Sequence, residues 1–387
     1  MGRPATRRLA SLRRCSRDAA ALWLFWLAPA FLAFKLIQHN LDVGIFGFDF
    51  RGTVWDGGRA VLEGRPPYPS PEGLEPVPAT LGSPFVYPPV ILWLAVPFAT
   101  LPAAVAQAVW ALGLFAGVGV ALLVLGIRDW RCIGIAMLSV PVLKGLTTGN
   151  VTLLLVPLLA AAWRGRDHRW AGAVALGLAV ALKLFLWPLL VWLVATRRIR
   201  PAAVAVATAV SSVFASWALI GFQGLTDYPA LLRIVDEAYA FKYASVSALS
   251  VALGASEAAG HALQYATGVA LVALAVLLAQ RDDGDRRSFS VIVVAALTLT
   301  PIGWAQNFAL LYVPLALRQP RLGPLWVIGW AAFWVEAFLL DPTVVGGGGP
   351  MLYRSIVILG FVGAVLLGCA TPSARRGRGP ALRLAPS

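Results

Sequence analysis

Seven apolar runs decide what this chain can become: Ala19–Gln38, Ala103–Ile127, Ala171–Ala195, Pro201–Gly221, Ala259–Gln280, Gly323–Leu340 and Tyr353–Ala370. Each is long enough, or nearly so, to cross roughly 30 Å of hydrocarbon as a helix. Of the 387 residues, 59% are hydrophobic and 13% are charged, where a soluble domain carries about 25% charged residues. A water-facing fold would have to hide many helices behind a very small polar shell. The expectation is an all-α polytopic membrane protein of about 10–13 transmembrane helices, some of them interrupted.

The net charge of +14 raises a nucleic-acid reading, which its distribution excludes. The excess sits in short arginine-rich pieces between apolar runs, the pattern that orients membrane proteins with the basic side cytoplasmic. Arg3, Arg7, Arg8, Arg13, Arg14 and Arg17 precede the first acid, Asp18, and Arg375, Arg376, Arg378 and Arg383 follow the last run. The chain therefore divides into a basic tail (1–18), a single transmembrane domain (19–370) and a second basic tail (371–387), with both tails cytoplasmic and in reach of anionic lipid headgroups. The first run is longer than a usual signal-peptide core and lacks a small-x-small exit, so it reads as an uncleaved span. Cys15, Cys132 and Cys369 suggest neither a disulfide framework nor a metal cluster, and His39, His168 and His261 are scattered. No cofactor and no metal are expected.

The one long polar stretch, residues 39–87, holds six acids against three arginines, which places it outside. Residues 49–63 read as a short amphipathic helix along the outer interface, with Val54, Trp55 and Leu62 on one face and Asp56, Arg59 and Glu63 on another. Gly64 ends it and a proline-rich run follows.

Further along, basic loops bracket apolar segments that carry a break in the middle. Arg164–Arg169 and Arg197–Arg200 enclose about 26 residues centred on Lys183. One straight helix would put one of these loops outside. Two half-helices of about 13 residues, each rising about 20 Å, would instead turn at Lys183 and return. The same reading fits Ile133–Trp163, broken at residues 147–150, and Phe289–Leu317, broken at residues 300–307. Irregular backbone at membrane depth must be buried in protein or line a wet cavity, so the three breaks are expected to converge on one cavity. One conflict stands: residues 88–127 look like two spans, which would leave Arg128–Arg131 outside. Either Pro88–Leu101 is not a full crossing or the half-helix scheme fails in part. Gly346–Gly349 reads as a flexible outer loop.

Charge at membrane depth is costly and points to function. Asp49, between Phe48 and Phe50, suits either a helix N-cap or a general base held near a substrate. Lys183 suits either a point charge for a phosphate group or a snorkelling side chain. Lys144, nearer its segment's end, reads as snorkelling. Asn150, Trp304, Gln306 and Asn307 sit at the other two breaks, where they suit hydroxyl-rich ligands or simply satisfy broken helix ends. Asp227 and Tyr228 are weaker candidates. The phosphate-loop, dinucleotide, zinc-protease and serine-hydrolase signatures are all missing from the sequence, which argues against nucleotide-driven chemistry.

Five pieces, in order, resemble a known family: residues 48–50 with 58–69, then 85–102, 141–163, 171–198 and 299–315. They are similar to the polyprenyl-phosphate-sugar-dependent membrane glycosyltransferases of the GT-C type, specifically glycosyltransferase family 87, whose best-known members are bacterial mannosyltransferases and arabinofuranosyltransferases of cell-envelope glycolipids. The resemblance implies a GT-C-type bundle in a bacterial plasma membrane with an active site facing outside. The implied donor is a polyprenyl-phosphate sugar and the acceptor a glycolipid or glycan. The family's first-loop aspartate, the catalytic base, matches Asp49, with Asp56 as the fallback. Its lysine in the interrupted segment matches Lys183, which would face the donor phosphate together with Arg59. Asp56, Tyr87, Asn150, Trp304, Gln306 and Asn307 are the substrate-binding candidates. Two departures stand out: Leu184 follows the lysine where members often have proline, and Gln306 and Asn307 stand where many carry two histidines. The implied mechanism is a single displacement at the anomeric carbon. A transporter or lipid flippase is the rival class, with the same long spans and a buried lysine, but its paired halves are not visible here. A structural membrane protein would need neither Lys183 nor the first-loop acid.

Overall fold

The computed structural model describes residues 16, 18–69, 87–168, 170–239, 243–300, 302–339 and 349–371. Nearly all of both basic tails, most of the proline-rich run and most of the glycine run lie outside the described residues. Among the described residues the chain is helical throughout, with no strand. The first span is α1, Asp18–Asp42. A π-helical turn, Phe50–Trp55, runs into α2, Asp56–Leu62. There follow α3 (Val90–Ala99), α4 (Ala103–Val124), α5 (Trp130–Met137), α6 (Val140–Thr148) and α7 (Thr152–Arg164). Next come α8 (Ala171–Leu182), α9 (Pro188–Ala195), α10 (Ile199–Leu219), α11 (Tyr228–Tyr239), α12 (Val246–Ala252) and α13 (Glu257–Ala279). The chain closes with α14 (Gly284–Leu299), a 3-10 turn Ala305–Leu311, α15 (Tyr312–Arg318), α16 (Pro324–Leu339) and α17 (Gly349–Ala370).

Among the described residues, five helices are long and apolar enough to span a bilayer alone: α1, α4, α10, α13 and α17. Helices α5 and α6 pass the same test together, bent by 49°. Along α4 the buried positions Ala106, Trp110, Leu114, Val118 and Ala121 recur every three or four residues, while Leu112 on the opposite side is 69% exposed. An outward face this apolar belongs against lipid rather than water. The chain is a polytopic membrane protein.

The interrupted segments are hairpins that start and finish at one end of the bundle. Arg198, just past α9, bonds Asp167, just before α8, at 2.8 Å. Asp285, at the start of α14, accepts from both Arg198 (2.7 Å) and Arg166 (2.8 Å). Arg287 donates to the carbonyl of Ala370 at the end of α17. This basic end gathers the loops that carry the arginines. The breaks lie at the other end, and each has a local cause. Lys183 is extended (φ −143°, ψ 106°) and Pro188 opens α9. A proline cannot donate to residue 184 and its ring crowds that carbonyl, so α8 cannot simply continue. Gly149 ends α6 in the left-handed region (φ +75°), which favours glycine. Thr300 is extended ahead of Pro301, the conformation proline imposes on its predecessor.

The conflict over residues 88–127 resolves in the same terms. Helix α3 has ten residues, about 15 Å of rise, which is half a crossing. Only α4 crosses fully, so the Arg128–Arg131 turn falls at the basic end. There Asp129 caps α5 and also accepts from the backbone N–H of Leu322, at 3.0 Å, in the turn after α15.

The amphipathic helix needs one correction. Phe50, Thr53, Val54, Gly57, Gly58 and Ala60 are buried, but Leu62 is 52% exposed. The π turn widens the helix and shifts its buried stripe toward the two glycines. A Cβ on Gly58 would lie 3.0 Å from the Ala95 backbone, so α2 and α3 pack at glycine contact distance.

Candidate active site

The three breaks and the first connection close around one cavity of about 290 Å³. The connection between α1 and α3 supplies Phe48, Asp49 and Tyr87 to its wall. The α6–α7 hairpin supplies Lys144, Thr148 and Asn150, and the α8–α9 hairpin supplies Lys183. The α14–α15 break contributes Trp304 and Gln306. Val235 and Tyr239 of α11, with Tyr243 just beyond it, complete an aromatic side. On that side the Tyr243 and Trp304 rings lie 4.3 Å apart and the Tyr239 and Trp304 rings 5.2 Å apart.

Asp49 does not cap a helix. Its backbone is already helical (φ −66°, ψ −37°) and its carboxylate makes no capping bond. The carboxylate instead accepts from Asn150 Nδ2 at 2.6 Å. The same amide group donates to the Tyr87 hydroxyl at 3.1 Å. Asn150 Oδ1 accepts from the Thr152 N–H (2.9 Å) and hydroxyl (2.6 Å), so every hydrogen-bonding position of the amide oxygen is in use. Thr152 in turn accepts from Lys183 Nζ at 2.6 Å, and the ammonium sits 5.4 Å from the centre of the Tyr87 ring. A continuous polar chain therefore joins Asp49 to Lys183 through Asn150 and Thr152.

Asp49 lies in the connection, outside the spanning helices. Burial pushes its carboxyl above the ordinary carboxylate range, and hydrogen bonds from Asn150 and Thr148 and the charge of Lys183 pull the other way. A carboxylate so placed is a better proton acceptor than an exposed one.

Six of the nine expected site residues line the cavity: Asp49, Tyr87, Asn150, Lys183, Trp304 and Gln306. Three do not. Asn307 is buried behind Thr152, whose hydroxyl is 3.3 Å from Asn307 Oδ1, and it donates to the carbonyl of Ile302. Its place is in the support of the break. Arg59 and Asp56 lie on the exposed side of α2. Arg59 is engaged with Glu63 at 2.7 Å and lies over Trp55, while Asp56 stands 3.8 Å from Arg65. The helical turn that buries Gly57 and Gly58 against α3 carries both charges outward.

Thr152, Thr148, Asn40 and Lys144 were not anticipated as parts of this site. For two of them a sequence signal exists. Lys144 and Thr148 are four apart on α6, so they share a face, and Thr148 belongs to the break itself. Asn40, near the end of α1, bonds the Thr147 hydroxyl at 2.8 Å, and nothing local in the sequence marks that long-range contact. The Tyr239–Tyr243–Trp304 cluster is equally non-local. Tyr228 packs instead with Tyr68 and Trp217 beside the cavity. Among the described residues no cluster of histidine, cysteine or acidic side chains is arranged to hold a metal.

No curated protein and no solved structure matches the chain. The family model of glycosyltransferase family 87 matches residues 85–304, more than half of the chain and the stretch that carries all three hairpin breaks up to Trp304, so the chain belongs to glycosyltransferase family 87.

Proposed function

We propose that this membrane glycosyltransferase takes its sugar, mannose or arabinofuranose, from a polyprenyl-phosphate donor and passes it to a glycolipid or glycan of the cell envelope. The observation that carries the reading is the pairing of Asp49 and Lys183 on one cavity wall, linked through Asn150 and Thr152. Asp49 takes the proton of an acceptor hydroxyl. That oxygen attacks the anomeric carbon, the bond from carbon to the phosphate oxygen breaks, and the polyprenyl phosphate leaves with the electron pair. Lys183 faces the charge that grows on the leaving phosphate, the place where a fixed cation has most effect on the barrier. Asn150 holds the carboxylate in place, and Tyr87, Trp304 and Gln306 contact the sugars.

The bilayer is part of this scheme. A prenyl tail remains in hydrocarbon while its phosphate enters a cavity at the end of the bundle. In a GT-C-type bundle in a bacterial plasma membrane, the basic end lies in the cytoplasm with both tails, and the cavity opens to the outer face. The test is an assay in membranes that offers polyprenyl-phosphate sugars beside nucleotide sugars. Transfer from the lipid-linked donors alone supports the reading, and transfer from nucleotide sugars alone overturns it. Lipid flipping without transfer would favour the flippase.

A further inference from the structure

The basic end holds two adjoining cavities of about 300 and 500 Å³ that share Asp282 and Asp285 in their walls. Their charges are not balanced. The Asp285 carboxylate is taken by Arg166 and Arg198, and Asp283 by Arg287. Arg286 and Arg318 line the first cavity, and Arg197 and Arg281 the second. None of these four has an acidic partner within ion-pair distance among the described residues. The carboxylate left to face them is Asp282.

The walls are also built rather than loose. Arg166 stacks over Trp163 at 4.1 Å, donates to the Trp163 carbonyl and is tied to Asp285. Arg287 is fixed between Asp283 and the Ala370 carbonyl. The first cavity reaches Cys369 at the end of α17 and the second reaches Ala279 at the end of α13. Two residues inward on those helices, Leu367 and Leu277 are 68% and 63% exposed. Each cavity thus abuts the end of a spanning helix, and Leu367 and Leu277, turned away from the cavity-lining positions, mark the exposed apolar sides of those helices.

We infer that these cavities form a binding site for the phosphate of an anionic phospholipid, with the headgroup between the unpaired arginines and the acyl chains along α13 and α17. Guanidinium groups suit a phosphodiester because their planar donors match its oxygens in pairs. Basic pockets between spans at the cytoplasmic surface are suited to such headgroups. The site lies at the opposite end of the hairpins from Asp49 and Lys183, and it does not depend on the donor proposed above.

The purified full-length chain in detergent tests this by native mass spectrometry with phosphatidylglycerol or phosphatidylcholine added. Wild type should retain phosphatidylglycerol preferentially, and Arg286→Gln combined with Arg318→Gln should weaken that retention by about fivefold for each arginine removed. Arg233→Gln, on exposed α11 at the other end, should leave it unchanged. Soluble glycerol 3-phosphate separates the sources: as a competitor it should displace the lipid poorly, because it lacks the apolar contacts. Equal retention of the two lipids by wild type overturns the proposal without recourse to a variant. So does unchanged phosphatidylglycerol retention in the double variant, or displacement by glycerol 3-phosphate at concentrations matching the lipid, which would assign the site to free phosphate.

Discussion

Lys183 Nζ donates to the Thr152 hydroxyl across 2.6 Å, although the two residues stand on different hairpins. Thr152 opens α7 and Lys183 interrupts the α8–α9 pair. The bond fixes the tip of one re-entrant hairpin to the tip of the next, and it lies within the polar chain that reaches Asp49. The position of the ammonium is therefore set by tertiary structure, in the wall of the cavity rather than at a lipid interface.

Removing that cation should slow transfer more than it weakens binding. Lys183→Gln is expected to lower kcat by roughly 10²–10³-fold, the scale of losing one group that stabilises developing charge. Thr152→Val keeps the volume and removes the acceptor, so it should reproduce part of the loss. The double variant should fall short of the product of the two, because both changes break the same contact. Steady-state kinetics on the four proteins settle it, and strictly multiplicative losses would show that Thr152 does not position Lys183.

Gly149 is a second point of sensitivity. Its φ is +75°, and a Cβ there would meet Phe50 Cβ at 2.5 Å, next to Asp49. Gly149→Ala should cost roughly 1–3 kcal/mol through overpacking, with backbone strain in addition. Thermal unfolding in detergent and transfer rate should both drop. An alanine variant with wild-type stability would mean that the close approach of Gly149 and Phe50 is absent.

At the basic end, Asp285 holds Arg166 and Arg198 together and so closes two hairpins. Asp285→Asn should lower stability by on the order of 1 kcal/mol, since its bonds are charge-assisted but about a third exposed. The melting temperature should fall while the KM of the folded enzyme stays unchanged. A shift in KM with no change in melting would place Asp285 in a different role.

Much of this layout was legible from the residues. The three breaks announced themselves through Gly149, through Pro301 and through a lysine centred between two basic loops. Arginine placement identified which loops share an end. The span count was less accessible, because α3 is too short to cross yet as apolar as a span, and hydropathy does not report where a helix stops. The outward turn of Arg59 and Asp56 was hidden by the π turn at Phe50–Trp55, which breaks the regular 3.6-residue period on which the face assignment rested. The aromatic side of the cavity depends on α11 folding back over the Trp304 break, and no local pattern encodes that.

The raised affinity of Asp49 for its proton has a pH signature. A general base works when ionised, so activity should rise with pH through the pKa of Asp49. Because burial holds that pKa above the ordinary 3.8 of an aspartate, the acid limb of kcat/KM should have its midpoint above that value. Asn150→Asp would place a second acid against the first and move the limb further upward. A limb at the unperturbed value would mean that the carboxylate is solvated during turnover.

The identity of the base is tested most directly by Asp49→Asn, assayed in membranes with a polyprenyl-phosphate sugar donor beside wild type at equal expression. The side chain keeps its shape and loses its capacity to accept the acceptor's proton. Transfer is expected to fall by roughly 10²–10⁴-fold with the protein still folded. Full transfer by the asparagine variant would contradict the assignment of Asp49 as the catalytic base.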